Sequence, residues 1–427
     1  MLEAIGFFLV FLFLGMPVAF AIAISGAIFF ILTPEIPWTI LVQKSLSTTQ
    51  SFTMLAIPLF IFAGNLMNNT GITSRLVKLA NVLTGHMYGS IGQVSVVLST
   101  LMGGVSGSAV ADAAMECRIL GPEMTKRGYA PGWAAAVNCL TGLIVATIPP
   151  SMGLIIYGTV GEVSIGRLFV AGFVPGIIMC IFMLIATSWS ARRLGYKPDH
   201  DKPYPLSVIL KACWESIWAL LFPFILIALI RFGIMTPSES GAFAIFYAFT
   251  IGAFVYKELT WDKFKTCVID SVKDLSVITM ILAFSGIFSY GVVYDQLPAV
   301  LAKALVGFTD SSVILLWSII VLLTICGMFM ETTVITLIIT PILLPVIRQF
   351  GIDPVHFGIV MMTTVTMGCS TPPVGVALYT CSSIMNCSVQ ETTKYAIPWF
   401  VAILATLAVC VFFPDLVLFL PNWVYGG

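Results

Sequence analysis

Thr147-Ile148-Pro149-Pro150-Ser151 and Ser370-Thr371-Pro372-Pro373-Val374-Gly375 each stand inside a long run without a charged residue, Gly128–Gly161 in the first case and Val355–Gln390 in the second. A helix of about 20 mostly apolar residues crosses a hydrocarbon core. Both runs are long enough to cross, yet each carries a proline pair where a crossing helix needs its amides. Paired prolines remove two donors and clash with the preceding turn. In lipid the released carbonyls are costly unless they line a cavity or bind something. The pattern predicts two broken helices, over about 131–160 and 355–388.

The rest of the chain has the same character. Of its 427 residues 59% are hydrophobic and 9% charged, with twenty basic and twenty acidic side chains. Soluble domains carry about 25% charged residues, and forty charges cannot wet a chain of this length. This composition excludes a soluble enzyme, a secreted disulfide scaffold, a disordered chain and a nucleic-acid binder, and predicts an all-α polytopic membrane protein in a lipid bilayer. Ala4–Thr33 is too long for a signal peptide and lacks its basic flank, so it reads as a retained helix. A β-barrel would need short alternating strands. The ten cysteines are scattered without a C-x-x-C and read as small buried hydrophobes. His86, His200 and His356 show no metal-ligand spacing. The tryptophans, among them Trp38, Trp133, Trp214, Trp218, Trp261, Trp399 and Trp423, read as an interfacial belt. Trp38–Gln50 and Lys257–Lys273 read either as interfacial arms or as ordinary loops.

The halves coincide in an ordered way. At an offset of 223, Gly128 and Pro131 match Gly351 and Pro354, Pro149 and Pro150 match Pro372 and Pro373, and Pro175 matches Pro398. At an offset of 219, Asp112 matches Glu331 and Pro122 matches Pro341. Basic residues cluster at Arg118–Arg127, Arg192–Lys211 and Lys257–Lys273, on one side of the membrane by the number of intervening crossings. That count makes the hairpin of the first half open to the cytoplasm and that of the second half to the exterior. The expected organisation is an inverted repeat: 1–205 with a hairpin over about 89–125, and 206–427 with a hairpin over about 311–347. Secondary transporters use such repeats to expose one site alternately to each side.

Gly103–Asp112 and Cys326–Thr333 add one irregular, Gly- or Thr-bearing spot to each half. Carbonyl and hydroxyl oxygens at a break suit a small hard cation, and the half-helix N-termini that follow suit an anion. Two sodium sites are expected. One uses Ser106, Ser108, Thr147, Pro149 and Pro150; the other uses Gly327, Thr332, Thr333, Gly368, Ser370, Thr371 and Pro373. Gly107, Asp112, Ser151, Ser164, Glu331 and Pro372 are expected to touch substrate or to support the ion ligands. The plainer alternatives are kinks packed with small residues, carboxylates bonded to their own loop amides, and Ser164 as a helix N-cap.

GVSGSAVADA, the IPPS break, METTVITLIITPILLP (Met330–Pro345) and STPPVG (Ser370–Gly375) together resemble the large membrane subunit of tripartite ATP-independent periplasmic transporters, over essentially the whole chain. The resemblance implies an elevator-type fold with two re-entrant hairpins in a moving transport domain. It also implies sodium-driven import of an organic acid across the bacterial inner membrane, with sodium ions for coupling and no organic cofactor. The implied partners are a small membrane subunit and a periplasmic substrate-binding protein. Among family members the chain looks most like those for sialic acid, and Glu331 stands where many have Asp.

Three rival readings stand beside it. One is a carrier of the same architecture that works alone. Another is an intramembrane serine protease built on Gly104-Val105-Ser106-Gly107 with His356 as base, and the last is a passive channel. No G-x-x-x-x-G-K-[ST] string supports a nucleotide-driven pump.

Overall fold

The computed structural model describes residues 1–50, 52–103, 107–200, 202–297, 300 and 311–426, and the described residues contain helices and no strand. Among the described residues six helices are long and apolar enough to cross a membrane, and two further bent pairs qualify if each is one span.

Each half carries the same series of elements. In the first, Ser90–Gly103 and Ala109–Lys126 form a hairpin; Pro131–Thr141, Leu143–Thr147 and Met152–Val160 form the broken helix, bent by 44°; and Ile165–Leu194 follows. In the second, the hairpin is Ser312–Phe329 and Thr332–Gln349, the broken helix is Pro354–Cys369 and Val376–Ile384, and Val389–Phe412 follows. The GYAP and GIDP matches have a simple local cause. Gly128 and Gly351 sit at φ +82° and +69°, the left-handed cap that ends a hairpin arm. Pro131 and Pro354 then occupy the first helical turn, where a missing amide costs nothing.

The helix starts revise one part of the sequence register. Ala109 and Thr332, the first residues of the two second arms, are 223 apart, the same offset as the proline pairs. Pro122 and Pro345 obey it too. The counterpart of Glu331 is therefore Ser108, both being N-cap residues, whereas Asp112 lies one turn inside its helix. The 219 match arose because proline recurs at 341 and 345.

Lys257–Lys273 is not an ordinary loop, because its residues from Trp261 onward form the start of one 34-residue helix, Trp261–Tyr294. Thr260 caps that helix, and nothing after it interrupts the ladder before the apolar run. This helix packs on Val18–Leu32, Trp38–Thr49, Ala56–Asn69 and Thr332–Gln349. Arg127 pairs with Asp199 at 2.5 Å, so the first two basic clusters meet in space.

Trp38, Trp214, Trp218, Trp261 and Trp423 are exposed, as an aromatic belt requires, whereas Trp133 and Trp399 are fully buried. Their rings meet edge-on at 5.6 Å. Trp133 Nε1 donates to Ser190 Oγ at 2.8 Å and Trp399 Nε1 to Thr187 Oγ1 at 2.9 Å. Both indoles thus find an interior partner on Ile165–Leu194, which is what lets them leave the interface.

Replacing Trp399 by Ala should cost about 3–5 kcal/mol, the range for removing a buried aromatic. Trp423→Ala, at a position 77% exposed, should stay within about 0.5 kcal/mol. Unfolding of the purified protein in one detergent checks both; equal losses contradict the packing.

Candidate functional site

Each hairpin tip rests on the break of its own half. A half-helix that starts after a break has first-turn amides with no partner inside it. The Met152 amide donates to the Gly107 carbonyl at 3.3 Å, and the Gly375 amide donates to the Met328 carbonyl at 2.9 Å. Met152 and Gly375 are again 223 apart. Gly107 sits at φ +71°, and a Cβ there would lie 2.6 Å from the Pro150 carbonyl oxygen. Ser151 caps the helix after the first break, accepting from the Leu154 amide at 3.4 Å.

The second junction is tighter. Gly327 and Gly368 meet backbone to backbone, so that a Cβ on either would lie 2.7 Å from the other's Cα. Thr332 Oγ1 and Cys369 Sγ are 3.2 Å apart, and the Cys369 thiol donates to the Met330 carbonyl at 3.3 Å. Thr371 Oγ1 donates to the Met367 carbonyl at 2.7 Å. Ser370 Oγ is buried and has no hydrogen-bond partner among the described residues. Its counterpart at the same offset is Thr147, buried at the first break. Both proline pairs are joined by cis peptides. The first break is buried throughout, whereas Pro373 and Val374 of the second are exposed.

Between the tips lies a cavity of about 340 Å³. One wall is Gly107–Ala111 from the first tip and Glu331–Thr333 from the second, with Ala146, Met152, Gly153, Met362 and Thr366 from the broken helices. Ala109–Lys126 and Thr332–Gln349 both start here, so two helix N-termini face the same space. Glu331 accepts from Thr333 Oγ1 at 3.0 Å.

Of the residues expected from sequence, Gly107, Ser108, Glu331, Thr332 and Thr333 line this cavity. Thr147, Pro149, Pro150, Ser151, Gly327, Gly368, Ser370, Thr371, Pro372 and Pro373 belong to the two junctions beside it and are not part of its lining. Asp112 is fully buried one turn behind the first tip. Ser106 lies outside the described residues. Ser164 is elsewhere: it caps Ile165–Leu194, accepting from the Arg167 amide at 3.4 Å, and borders a separate cavity with Glu162 and Tyr425. His356 is buried and hydrogen-bonded to the Cys410 carbonyl at 2.8 Å.

The opposite wall went unread in the sequence. It is made by Ile61, Gly64, Asn65 and Asn68 of Ala56–Asn69 and by Asp274, Val277 and Ile278 of the long helix. Asn65 Nδ2 donates to Ser271 Oγ at 2.9 Å and to Asp274 Oδ2 at 3.4 Å. Asn68 Oδ1 is buried with no donor among the described residues. The available signal was a pair of amides, Asn65 and Asn68, inside the charge-free Ser45–Ser74. No Lys, Arg or His lines the cavity among the described residues.

A family model, described as the tripartite ATP-independent periplasmic transporter, DctM component, matches residues 5–416. The isethionate TRAP transporter permease protein DctMQ of Oleidesulfovibrio alaskensis is 33% identical over 97% of this chain, which spans 65% of that protein. The sialic acid TRAP transporter large permease protein SiaM of Vibrio cholerae is 34% identical, with 97% of each chain covered. The solved YdaH transporter of Alcanivorax borkumensis shares the fold at a TM-score of 0.61 and 12% identity, with 88% of this chain and 87% of that one covered.

Gly327→Ala should destabilise the protein by about 1–3 kcal/mol, the cost of overpacking a contact whose other side is backbone. Gly6→Ala, where a Cβ meets open space, should not. Thermal unfolding of the two variants decides; an unaffected Gly327→Ala contradicts the close approach.

Proposed function

The chain belongs to the DctM component family of tripartite ATP-independent periplasmic transporters, and from that membership we propose that it is the sodium-coupled carrier subunit that imports an organic acid anion. It is a multi-pass protein of the inner membrane. The observation that carries the reading is the cavity between the two hairpin tips, with an oxygen-rich junction behind each tip.

Charge argues for the coupling ion. An acid anion in this cavity meets no basic side chain among the described lining residues, and Glu331 and Asp274 add negative charge. Two helix N-termini offset part of that charge, and sodium ions at the breaks supply the rest. The buried Ser370 hydroxyl, without a hydrogen-bond partner among the described residues, is the group most suited to a ligand's role at the second break, beside the carbonyls released by Pro372 and Pro373. Thr147, Pro149 and Pro150 with Ser106 and Ser108 take the corresponding role at the first. Glu331 and Asp112 support the ligands.

The shared order of elements and the constant offset of 223 support an inverted repeat of 1–205 and 206–427. In this reading both hairpins and both broken helices move as one body in an elevator stroke, and Ala56–Asn69 and Trp261–Tyr294 are the fixed wall. The relatives' names point to isethionate and sialic acid as their cargo; for this chain the class is a small organic acid, sialic acid or a dicarboxylate-like acid. "Tripartite" and "periplasmic" in the family description support a small membrane subunit and a periplasmic binding protein as partners.

Uptake by proteoliposomes holding this chain and the small subunit, driven by a sodium gradient and supplied by the binding protein, tests the proposal. Ser106→Ala, Ser108→Ala, Thr332→Ala, Ser370→Ala and Thr371→Ala should each raise the half-saturating sodium concentration about tenfold, equivalent to about 1.4 kcal/mol. Unchanged sodium dependence in all five would falsify the ion assignment. Asn68→Ala should raise the half-saturating substrate concentration several-fold and leave that of sodium alone, since one hydrogen bond contributes about 1 kcal/mol. Full uptake without the binding protein or small subunit overturns the tripartite part.

A further inference from the structure

Glu116 lies two turns along the second arm of the first hairpin and does not line the cavity. It is fully buried, as are Ser95, Ser99 and Thr141 around it. Ser99 Oγ lies 2.6 Å from Glu116 Oε1, and Ser95 Oγ lies 2.6 Å from Oε2. Ser95 Oγ is also 2.8 Å from Thr141 Oγ1, which is itself 2.8 Å from the Val137 carbonyl and, more loosely, 3.3 Å from Glu116 Oε2. Four of these oxygen–oxygen approaches are short, at 2.6 or 2.8 Å, and each needs one proton between its oxygens. The three hydroxyls carry one proton apiece, and the carbonyl carries none. Three protons cannot serve four approaches.

The missing proton has one place to be. With Glu116 neutral the chain closes without a gap: Ser99 donates to Oε1, the Oε2 hydroxyl donates to Ser95, Ser95 to Thr141, and Thr141 to the Val137 carbonyl. With Glu116 ionised, Ser95 must serve both Oε2 and Thr141, or Thr141 must leave Val137, so one approach lacks a proton. The surroundings favour the neutral form too. The helices packed on this arm are Ser90–Gly103, Pro131–Thr141, Leu143–Thr147 and Val376–Ile384. Their titratable groups are the thiols Cys139 and Cys381 and the exposed Tyr379, and none is a base. On its own helix the neighbours are Asp112, one turn earlier, and Cys117, while Arg118 is exposed. An unpaired carboxylate within the membrane is expensive.

We propose that Glu116 is a protonation site that latches the first hairpin shut. The chain joins three elements: both hairpin arms, through Ser95, Ser99 and Glu116, and the first broken helix, through Thr141. Loss of the proton removes one of the four links and places a charge among apolar helices, and the two arms then part more readily from the broken helix. This proton site is separate from the sodium sites and stands whether or not sodium drives uptake.

Infrared difference spectra of the purified full chain in lipid nanodiscs, wild type minus Glu116→Gln, test it directly at neutral pH. The expected result is a carboxylic-acid C=O stretching band in the wild type that moves in D2O and is absent from Glu116→Gln. A difference made only of carboxylate bands overturns the proposal. Should Glu116→Gln not fold, Thr141→Val in the otherwise intact chain should move the same band to higher frequency by breaking the chain; an unmoved band is equally damaging. For the latch itself, amide exchange over 109–126, corrected for its intrinsic pH dependence, should rise with pH in the wild type and stay flat in Glu116→Gln. The same rise in both contradicts a role for this proton.

Discussion

Lipid does not hydrogen-bond a peptide group, so a helix broken in the membrane must be completed by another part of the same chain. Everything characteristic of this protein follows from how it meets that demand. Two proline pairs break two helices, and two hairpin tips complete them: Gly107 accepts from Met152, and Met328 accepts from Gly375. The tips have to come close, which is why glycine stands at 107, 327 and 368. Both tips border one cavity, through Gly107–Ala111 of the first and Glu331–Thr333 of the second.

The same demand applies to charge, and the chain answers it in two ways. Where a carboxylate borders the cavity, as Glu331 does, it stands at the N-cap position of a helix and accepts from the Thr333 hydroxyl. Where a carboxylate is sealed among helices, as Glu116 is, three hydroxyls and a carbonyl close around it. The first arrangement leaves the carboxylate facing the cavity. The second belongs to a joint between three elements that, in the proposal above, loosens when its proton leaves.

Much of this was legible before any coordinates. Proline pairs in charge-free runs announce broken helices because lipid leaves so few alternatives, and the elements expected over 131–160 and 355–388 form there. Gly128 and Gly351 betrayed the hairpin ends because left-handed caps before proline carry a local signature. The features that stayed hidden depend on partners distant in sequence. Asn65 and Asn68 gain meaning only from Asp274, two hundred residues on, and from tips that approach from elsewhere. Glu116 gains meaning only from Ser95, Ser99 and Thr141, which the fold brings around it. Trp133 and Trp399 look interfacial by position, and only the hydroxyls of Ser190 and Thr187 explain their burial.

The central claim is that one cavity, closed by two hairpin tips, holds the cargo, with a cation at each break behind it. The most direct measurement is a pair of experimental density maps of this chain in lipid with an organic acid present, one in sodium and one in potassium. The account requires cargo density between Ser108 and Thr333, and sodium-dependent density at coordination distance from Ser370 Oγ and from the carbonyls of both proline pairs. Cargo bound outside the hairpin cavity, or identical density at the breaks in the two salts, contradicts it.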